Sequence, residues 1–422
     1  MGDRALVLPP SDVRRSQVLG ALTAYWPDAR AAVEALPVAE RRLDDVEVPL
    51  RLVAVHVPDW AGRAAVSGEI LVPAEVAGQG GWSTVDWWTA AFLLLEGWHE
   101  RVWEMSRGPI HSYSWRLEGW DSRAWERAWV NRIAMFLAAW AGVDQHVLRP
   151  TLRVSHDVDA IRKTTPIRLK QSAMRAAVAV RRRSAPGRSV DALHFVFGRQ
   201  DWWMIDEVLR LEYEHGVRST FNVFADPRRL SPRRWLLDPA YRLGSPDGAR
   251  LLKSLTDGDV RIGLHPSFDS WTDGDRITDQ KAHLERCLGR PVRSVRQHWL
   301  RFSWEHTWSA QSAAGLEIDS TLMFNDRSGF RNSAAIEWRP WNPSDGRAHS
   351  IAAVACGFMD SHQYDYAALA GDDGEHRVTL RDVVTECRAV GGDIDLLWHP
   401  HTLSEDYGWR EGFTEMLREV AA

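Results

Sequence analysis

The feature that most limits what this chain can become is a unit repeated after residue 150, in which a helical stretch ends in glycine and a short apolar strand follows. EHG leads into VRSTFNVF, TDG into DVRIGLH, CLG into RPVRSVRQHW, AAG into LEIDSTLMF and VGG into DIDLLWHP. Glycine is the usual left-handed cap of a helix, and short buried strands alternating with helices argue for parallel βα units. The fold class is therefore read as α/β, a barrel or a doubly wound sheet. Parallel sheets of either kind place ligands at the carboxyl ends of their strands, so any chemistry is sought there.

Those ends carry a short list. His156-Asp157-Val158-Asp159 follows TLRVS, Asn222 and Asp226 lie in STFNVFAD, and His265 with Asp269 lies in GLHPSFD. Later strands add Arg296, Gln297 and His298, then Asp319, and finally His399 and His401 in LLWHPH. Histidine, aspartate and arginine at nearly every end exceed what solvation needs, which predicts a functional cleft. Residues two apart in a strand share a face, so Asp157 and Asp159 point one way and His156 the other. Two neighbouring carboxylates repel unless a cation or an arginine offsets them. Read alone, the Asp pair has a lesser alternative as a capped strand-end turn, and His265 is equally a satisfied core histidine. Together they suit one divalent ion, zinc by default, with cobalt, nickel, manganese or iron as alternatives. The chemistry this permits is metal-assisted hydrolysis, with Asp159 as ligand, Asp157 as base, His399 as acid and Arg296 holding the base ionised.

The ordered set HDVD, GVRSTF, IGLHPSF, VRQHW, LEIDSTLMF with GFR, and LLWHP resembles the polysaccharide deacetylases of the fourth carbohydrate-esterase family, from Thr151 to the end of the chain. STVDWWTAAFLLLEGWHE, ahead of HDVD, is similar to an accessory region that precedes one subgroup. The resemblance implies a distorted (β/α) barrel over 151–422, an N-terminal α+β accessory domain over 1–150, and removal of an acetyl group from an N-acetylated sugar by one metal. It places Asp157 on the general base, Asp159 on the metal-binding aspartate, His265 on the first metal histidine, Arg296 on the arginine that steadies the base and His399 on the general acid. Trp299 falls where a backbone N–H serves the oxyanion. The family's second metal histidine is Asp269 here, and its R-P-P-Y-like segment reads RQHW. The third ligand is therefore either His298, favoured because imidazole binds zinc and its neighbours well, or Asp269. A degenerate site without metal is the remaining possibility.

The first 150 residues read differently, with a helix from about Ser11 to Trp26, strands in VPLRLVAVHV and GEILVP, and helices around 85–105 and 121–143. Glu96, Glu100 and Glu104 recur every four residues and read as a solvated helix face. Twelve of the 23 tryptophans fall in this part and read mainly as core rings. The 52 Lys+Arg against 57 Asp+Glu give a net charge of -5, too balanced for a whole-protein polyanion binder. Three cysteines without a CxxC spacing indicate neither a disulfide framework nor a thiolate zinc site. The absence of a signal-like apolar run suggests a cytoplasmic protein. Between 161 and 189 lie nine Lys or Arg and no acidic residue. Arg181 and Arg182, with Trp271, are read as bordering a phosphate-bearing or lipid-linked sugar, with peripheral membrane contact as a further use of the segment. Rival readings are another amide hydrolase on the same barrel and a non-catalytic carbohydrate binder using Trp271, Trp299, Trp304 and Trp338 as stacking platforms.

Overall fold

The computed structural model describes residues 6–143, 148–165, 167–169, 172, 195, 198, 201–228, 231–366 and 377–422. Arg181 and Arg182, and most of the basic segment, lie outside the described residues. Two compact units emerge, each assembled from separate stretches of chain. One holds Met1–Arg153, Leu300–Phe358 and Arg377–Leu396, the other Val154–Trp299, Met359–His376 and Leu397–Ala422. Among the described residues no helix is long and apolar enough to cross a membrane.

In the second unit, four strands stand side by side and parallel: β1 (Thr151–Val158, in this unit from Val154), β2 Thr220–Phe224, β3 Arg261–His265 and β4 Ser294–Val295. Asp157 is level with Asn222, and Phe224 with His265. The intervening helices are amphipathic, as the repeated unit requires. Helix α1 (Ile205–His215) turns Ile205, Val208 and Leu211 inward. Helix α2 (Pro232–Leu237) is short and starts at a Ser231 cap. Helix α3 (Pro246–Asp257), also serine-capped, buries Leu251, Leu252 and Leu255. Helix α4 (Gly274–Leu288) buries Ile277 and Leu284. Gly216 and Gly289 take the expected left-handed conformation after α1 and α4. After α3 the pattern shifts by one residue: Gly258 stays right-handed and Asp259 carries the positive φ of 51°.

The other unit combines an antiparallel hairpin, Leu52–His56 with Glu69–Pro73, and a helical core. It also holds Ile318–Asp319 parallel to Ala352–Val354, which pairs antiparallel with Glu337–Trp338. The apolar pattern over 85–105 divides into two helices, Trp87–Leu95 and Trp98–Arg107, because Gly97 turns left-handed with φ 54°. No larger residue fits there, since a Cβ would run into the Trp304 ring. The glutamate row is not solvated. Glu96 accepts hydrogen bonds from Gln17 Nε2 (2.9 Å) and the Trp341 amide (2.8 Å), Glu100 pairs with Arg331, and Glu104 bonds Ser303 and the Trp304 amide. All three carboxylates are buried. The four-residue spacing puts only Glu100 and Glu104 on one helix, Glu96 capping the helix before it, and all three meet cations, a hydroxyl or amides instead of water.

Candidate metal and proton-transfer site

Every described candidate except Asp319, Trp304 and Trp338 belongs to the second unit. Strand β1 delivers Asp157 and Asp159 on one side. On the other side His156 is buried, its Nδ1 donating to the Trp398 carbonyl (2.7 Å) and its Nε2 facing Glu212 (2.8 Å). The alternation expected of HDVD therefore holds.

Asp157 is held from two directions. Asn222 Nδ2 donates to its Oδ1 at 2.9 Å, and Arg296 Nη1, which also donates to Ser155 Oγ (2.7 Å), reaches the same oxygen at 3.4 Å. Arg296 is fully buried. Asn222 has room only because Gly263, its neighbour on β3, has no side chain; a Cβ there would strike Asn222 Oδ1 and Ser294 Oγ.

Around Asp159 three imidazoles converge. His265 Nε2 lies 3.2 Å and His298 Nε2 3.5 Å from Oδ1, while His399 Nε2 lies 3.6 Å from Oδ2. The far side of each ring faces an acceptor: His265 Nδ1 donates to the Arg296 carbonyl (2.8 Å), His399 Nδ1 to Asp360 Oδ1 (2.8 Å), and His298 Nδ1 faces Asp238 Oδ1 at 3.6 Å. A ring whose Nδ1 carries the proton presents a lone pair at Nε2 when neutral. That lone pair would face a carboxylate oxygen, acceptor against acceptor, unless a proton or a metal ion lies between them.

The donor set fits a metal ion. Asp159 Oδ1 is shut off from water and has no hydrogen-bond donor. Tetrahedral bonds of ~2.0–2.1 Å to zinc set neighbouring ligand atoms roughly 3.3 Å apart. The contacts of Oδ1 to His265 and His298 bracket that spacing, and Asp159, His265 and His298 form a ligand-capable group with all three atoms within 4.8 Å. Imidazoles whose outer nitrogen is tied to a carboxylate or carbonyl are the usual form of such ligands. Asp269, the alternative third ligand, pairs its carboxylate with Arg233 (3.0 Å).

Charge compensation is strong. Burial disfavours the Asp159 carboxylate, but His298, His265 and His399 together drive its pKa far below the usual carboxylate range. Burial likewise opposes a charged His399, yet the adjacent Asp360 carboxylate, then Asp159 and Asp157, raise it to about 10. His265 is raised because Asp157 and Asp159 outweigh its burial. His298 is lowered, burial prevailing over Asp159 and Asp238.

Two contributors lay outside the candidates read from sequence. Asp360 accepts from the His399 amide (2.9 Å) and Thr402 Oγ1 (3.1 Å) as well as the His399 ring. It follows directly on the strand Cys356–Met359, so the strand-end rule applied to CGFMD would have found it. Asp238 follows α2, where no strand or motif marks it.

Among the remaining candidates, Trp299 has φ of +59°, a region that costs an L-residue roughly 1–2 kcal/mol, and its indole donates to the Leu237 carbonyl (3.0 Å). Trp271 is partly exposed. In the other unit, Asp319 accepts from Trp308 Nε1 and Gln311 Nε2, both at 2.9 Å. Trp304 and Trp338 are only 1% and 3% exposed, so neither offers the stacking face that the carbohydrate-binder reading requires.

No protein-family model matches the chain, and no curated protein matches it. Solved structures with some likeness include a Mycobacterium smegmatis protein named for the polysaccharide deacetylases, at 18% identity and a TM-score of 0.37, covering 65% of this chain and 85% of that one. A CE4 family pseudoenzyme from Bacillus anthracis has 13% identity and a TM-score of 0.30, covering 65% and 62%. The Xyl-CE4 domain of a xylanase from the hindgut metagenome of Trinervitermes trinervoides has 8% identity and a TM-score of 0.28, covering 64% and 81%. At these values the likenesses decide neither family nor activity; the functional reading stands on the site.

Proposed function

We propose that the chain is a metal-dependent N-deacetylase of the polysaccharide-deacetylase type, hydrolysing the acetamide of an N-acetylated sugar on a deacetylase-like α/β barrel. The observation that carries this reading is the convergence of three imidazoles on Asp159, those of His265 and His399 anchored at Nδ1, beside a second carboxylate clamped by Arg296 and Asn222. A site that only bound sugar would need neither.

Asp159, His265 and His298 would hold the ion, zinc by preference. When bound, it supplies Lewis-acid chemistry, polarising the amide carbonyl and acidifying water. Asp157 takes the proton of the attacking water, its carboxylate kept aimed by Asn222 and Arg296. The Trp299 N–H is the proposed donor to the developing oxyanion. His399 gives its Nε2 proton to the leaving nitrogen as the C–N bond breaks, releasing acetate and the free amine. Asp360 keeps that imidazole protonated and pointed at the cleft. The accessory role of residues 1–150, a phosphate- or lipid-linked acceptor facing Arg181 and Arg182, and a cytoplasmic setting all belong to this proposal.

The test measures metal content and acetate release from N-acetylglucosamine oligomers for the native chain, Asp269→Ala and His298→Ala. Asp269→Ala should keep its metal, and His298→Ala should lose most of it along with turnover. Full metal in His298→Ala, or acetate release undiminished after chelation, overturns the assignment; the second outcome favours a metal-free amide hydrolase.

A further inference from the structure

Asp238 is 8% exposed and has no part in the proton transfers above. Its carboxylate nevertheless joins three segments. Oδ1 accepts the Phe268 amide (2.8 Å) from the loop that follows the ligand His265, and it also faces His298 Nδ1 (3.6 Å) in the turn after β4. Oδ2 accepts from Arg234 Nε (3.0 Å) on α2. Arg234 in turn pairs with Asp226 (3.2 Å), and Asp226 with Arg228. The four groups alternate in sign and balance, two carboxylates against two guanidiniums. Asp238 is therefore compensated without His298 and keeps acceptor capacity for it.

His298 is 5% exposed, and its Nδ1 is buried without a hydrogen-bond partner. It is the loosest of the three imidazoles: His265 and His399 each have a 2.8 Å bond at Nδ1, whereas His298 stands 0.8 Å further from its acceptor (3.6 minus 2.8). An imidazole in this condition needs a small ring movement to complete a hydrogen bond, and Asp238 Oδ1 is the acceptor that stands near its Nδ1. The Phe268 amide binds and the His298 ring faces the same oxygen, so one carboxylate lies against both segments that bring His265 and His298 to Asp159.

We propose that Asp238 is the positioning residue for the third metal ligand: it fixes the tautomer and orientation of His298 and sets the spacing between the two histidine-bearing segments. This inference rests on the metal reading of the site. It explains how a histidine outside the usual H-x-x-x-H spacing can serve there, since the support comes from a carboxylate already locked by Arg234 and Asp226. Loss of such a partner typically weakens metal binding by 10–100-fold.

The experiment titrates the full chain with zinc against a chromophoric chelator and with cobalt by visible absorption, for the native protein, Asp238→Ala, Asp238→Asn and Asp269→Ala. Asp238→Ala should bind both metals about 10–100-fold more weakly, with an altered cobalt spectrum and a smaller metal-induced rise in Tm. Asp238→Asn, which keeps an oxygen facing His298 and the Phe268 amide, should recover part of the affinity, and Asp269→Ala should match the native chain. A purely structural role would lower the metal-free Tm while leaving the affinity and the cobalt spectrum unchanged. Cobalt affinity within twofold of native in Asp238→Ala, or in Asp238→Asn should the alanine variant fail to fold, overturns the proposal. A native chain that binds neither metal overturns the site reading itself, and this inference with it.

Discussion

At the scale of single residues, the site is governed by what stands behind each imidazole. Against the opposing effect of burial, Asp360 with Asp159 and Asp157 raises His399 to about 10, so the protonated ring that the proposed acid role requires persists well above neutrality. Because the folded pKa exceeds the ordinary value of about 6.5, the stabilisation from this pair is complete below that pH and is lost as pH rises through about 10. Asp360→Asn removes the largest raising influence. The alkaline limb of the pH–rate profile should then move to lower pH, with kcat falling about 10²-fold near pH 9; an unmoved limb would show that His399 is not the acid. HDVD, His265, Arg296, His298 and His399 were legible because strand ends in a parallel sheet are privileged positions. Asp238 was not, since a carboxylate leaving a short helix has no periodic signature. The left-handed backbone at Trp299 was equally invisible, because tryptophan has no preference for it.

At the scale of elements, the helices matched their glycine-terminated patterns, and the misreadings arose where polarity was equated with exposure. Glu96, Glu100 and Glu104 illustrate this, and so does the contact between helices Trp129–Trp140 and Leu380–Val390. There the fully buried Glu386 accepts two bonds from Arg132, both at 2.7 Å, and further donors from Arg127 and the Ala128 amide at 3.2 Å. Removing one partner of a buried pair leaves an uncompensated charge and costs about 3–5 kcal/mol, whereas replacing both by apolar groups is often neutral or better. Glu386→Ala should lower stability by that amount in chemical denaturation, and Arg132→Met with Glu386→Leu should recover most of it. A loss under 1 kcal/mol in the single variant would show that water reaches the pair.

At the scale of the whole molecule, the sequence changes texture near residue 150, but side-chain contacts tie the first 150 residues to later ones. Asn131 bonds the backbone of Ala335 in both directions (3.0 and 2.9 Å), Glu100 pairs with Arg331, and Asp326 accepts from Ser114 and Trp115. A chain beginning at residue 151 would leave Arg331 buried without its carboxylate and the Ala335 amide without an acceptor. It should lose cooperative thermal unfolding by circular dichroism; a sharp transition near the native Tm would show 151–422 to be self-sufficient. Such pairings join residues some two hundred positions apart, a range at which local pattern carries no information.

The interleaving of the two units also has a consequence during synthesis. One unit needs Arg377–Leu396 and the other Leu397–Ala422. Domains usually complete themselves in order as the nascent chain emerges, but here neither can close before its last segment, Arg377–Leu396 in one and Leu397–Ala422 in the other, has been made. The buried tryptophan-bearing helices Trp87–Leu95 and Trp129–Trp140 must wait uncovered until then, and apolar surface exposed in that interval favours aggregation and chaperone capture.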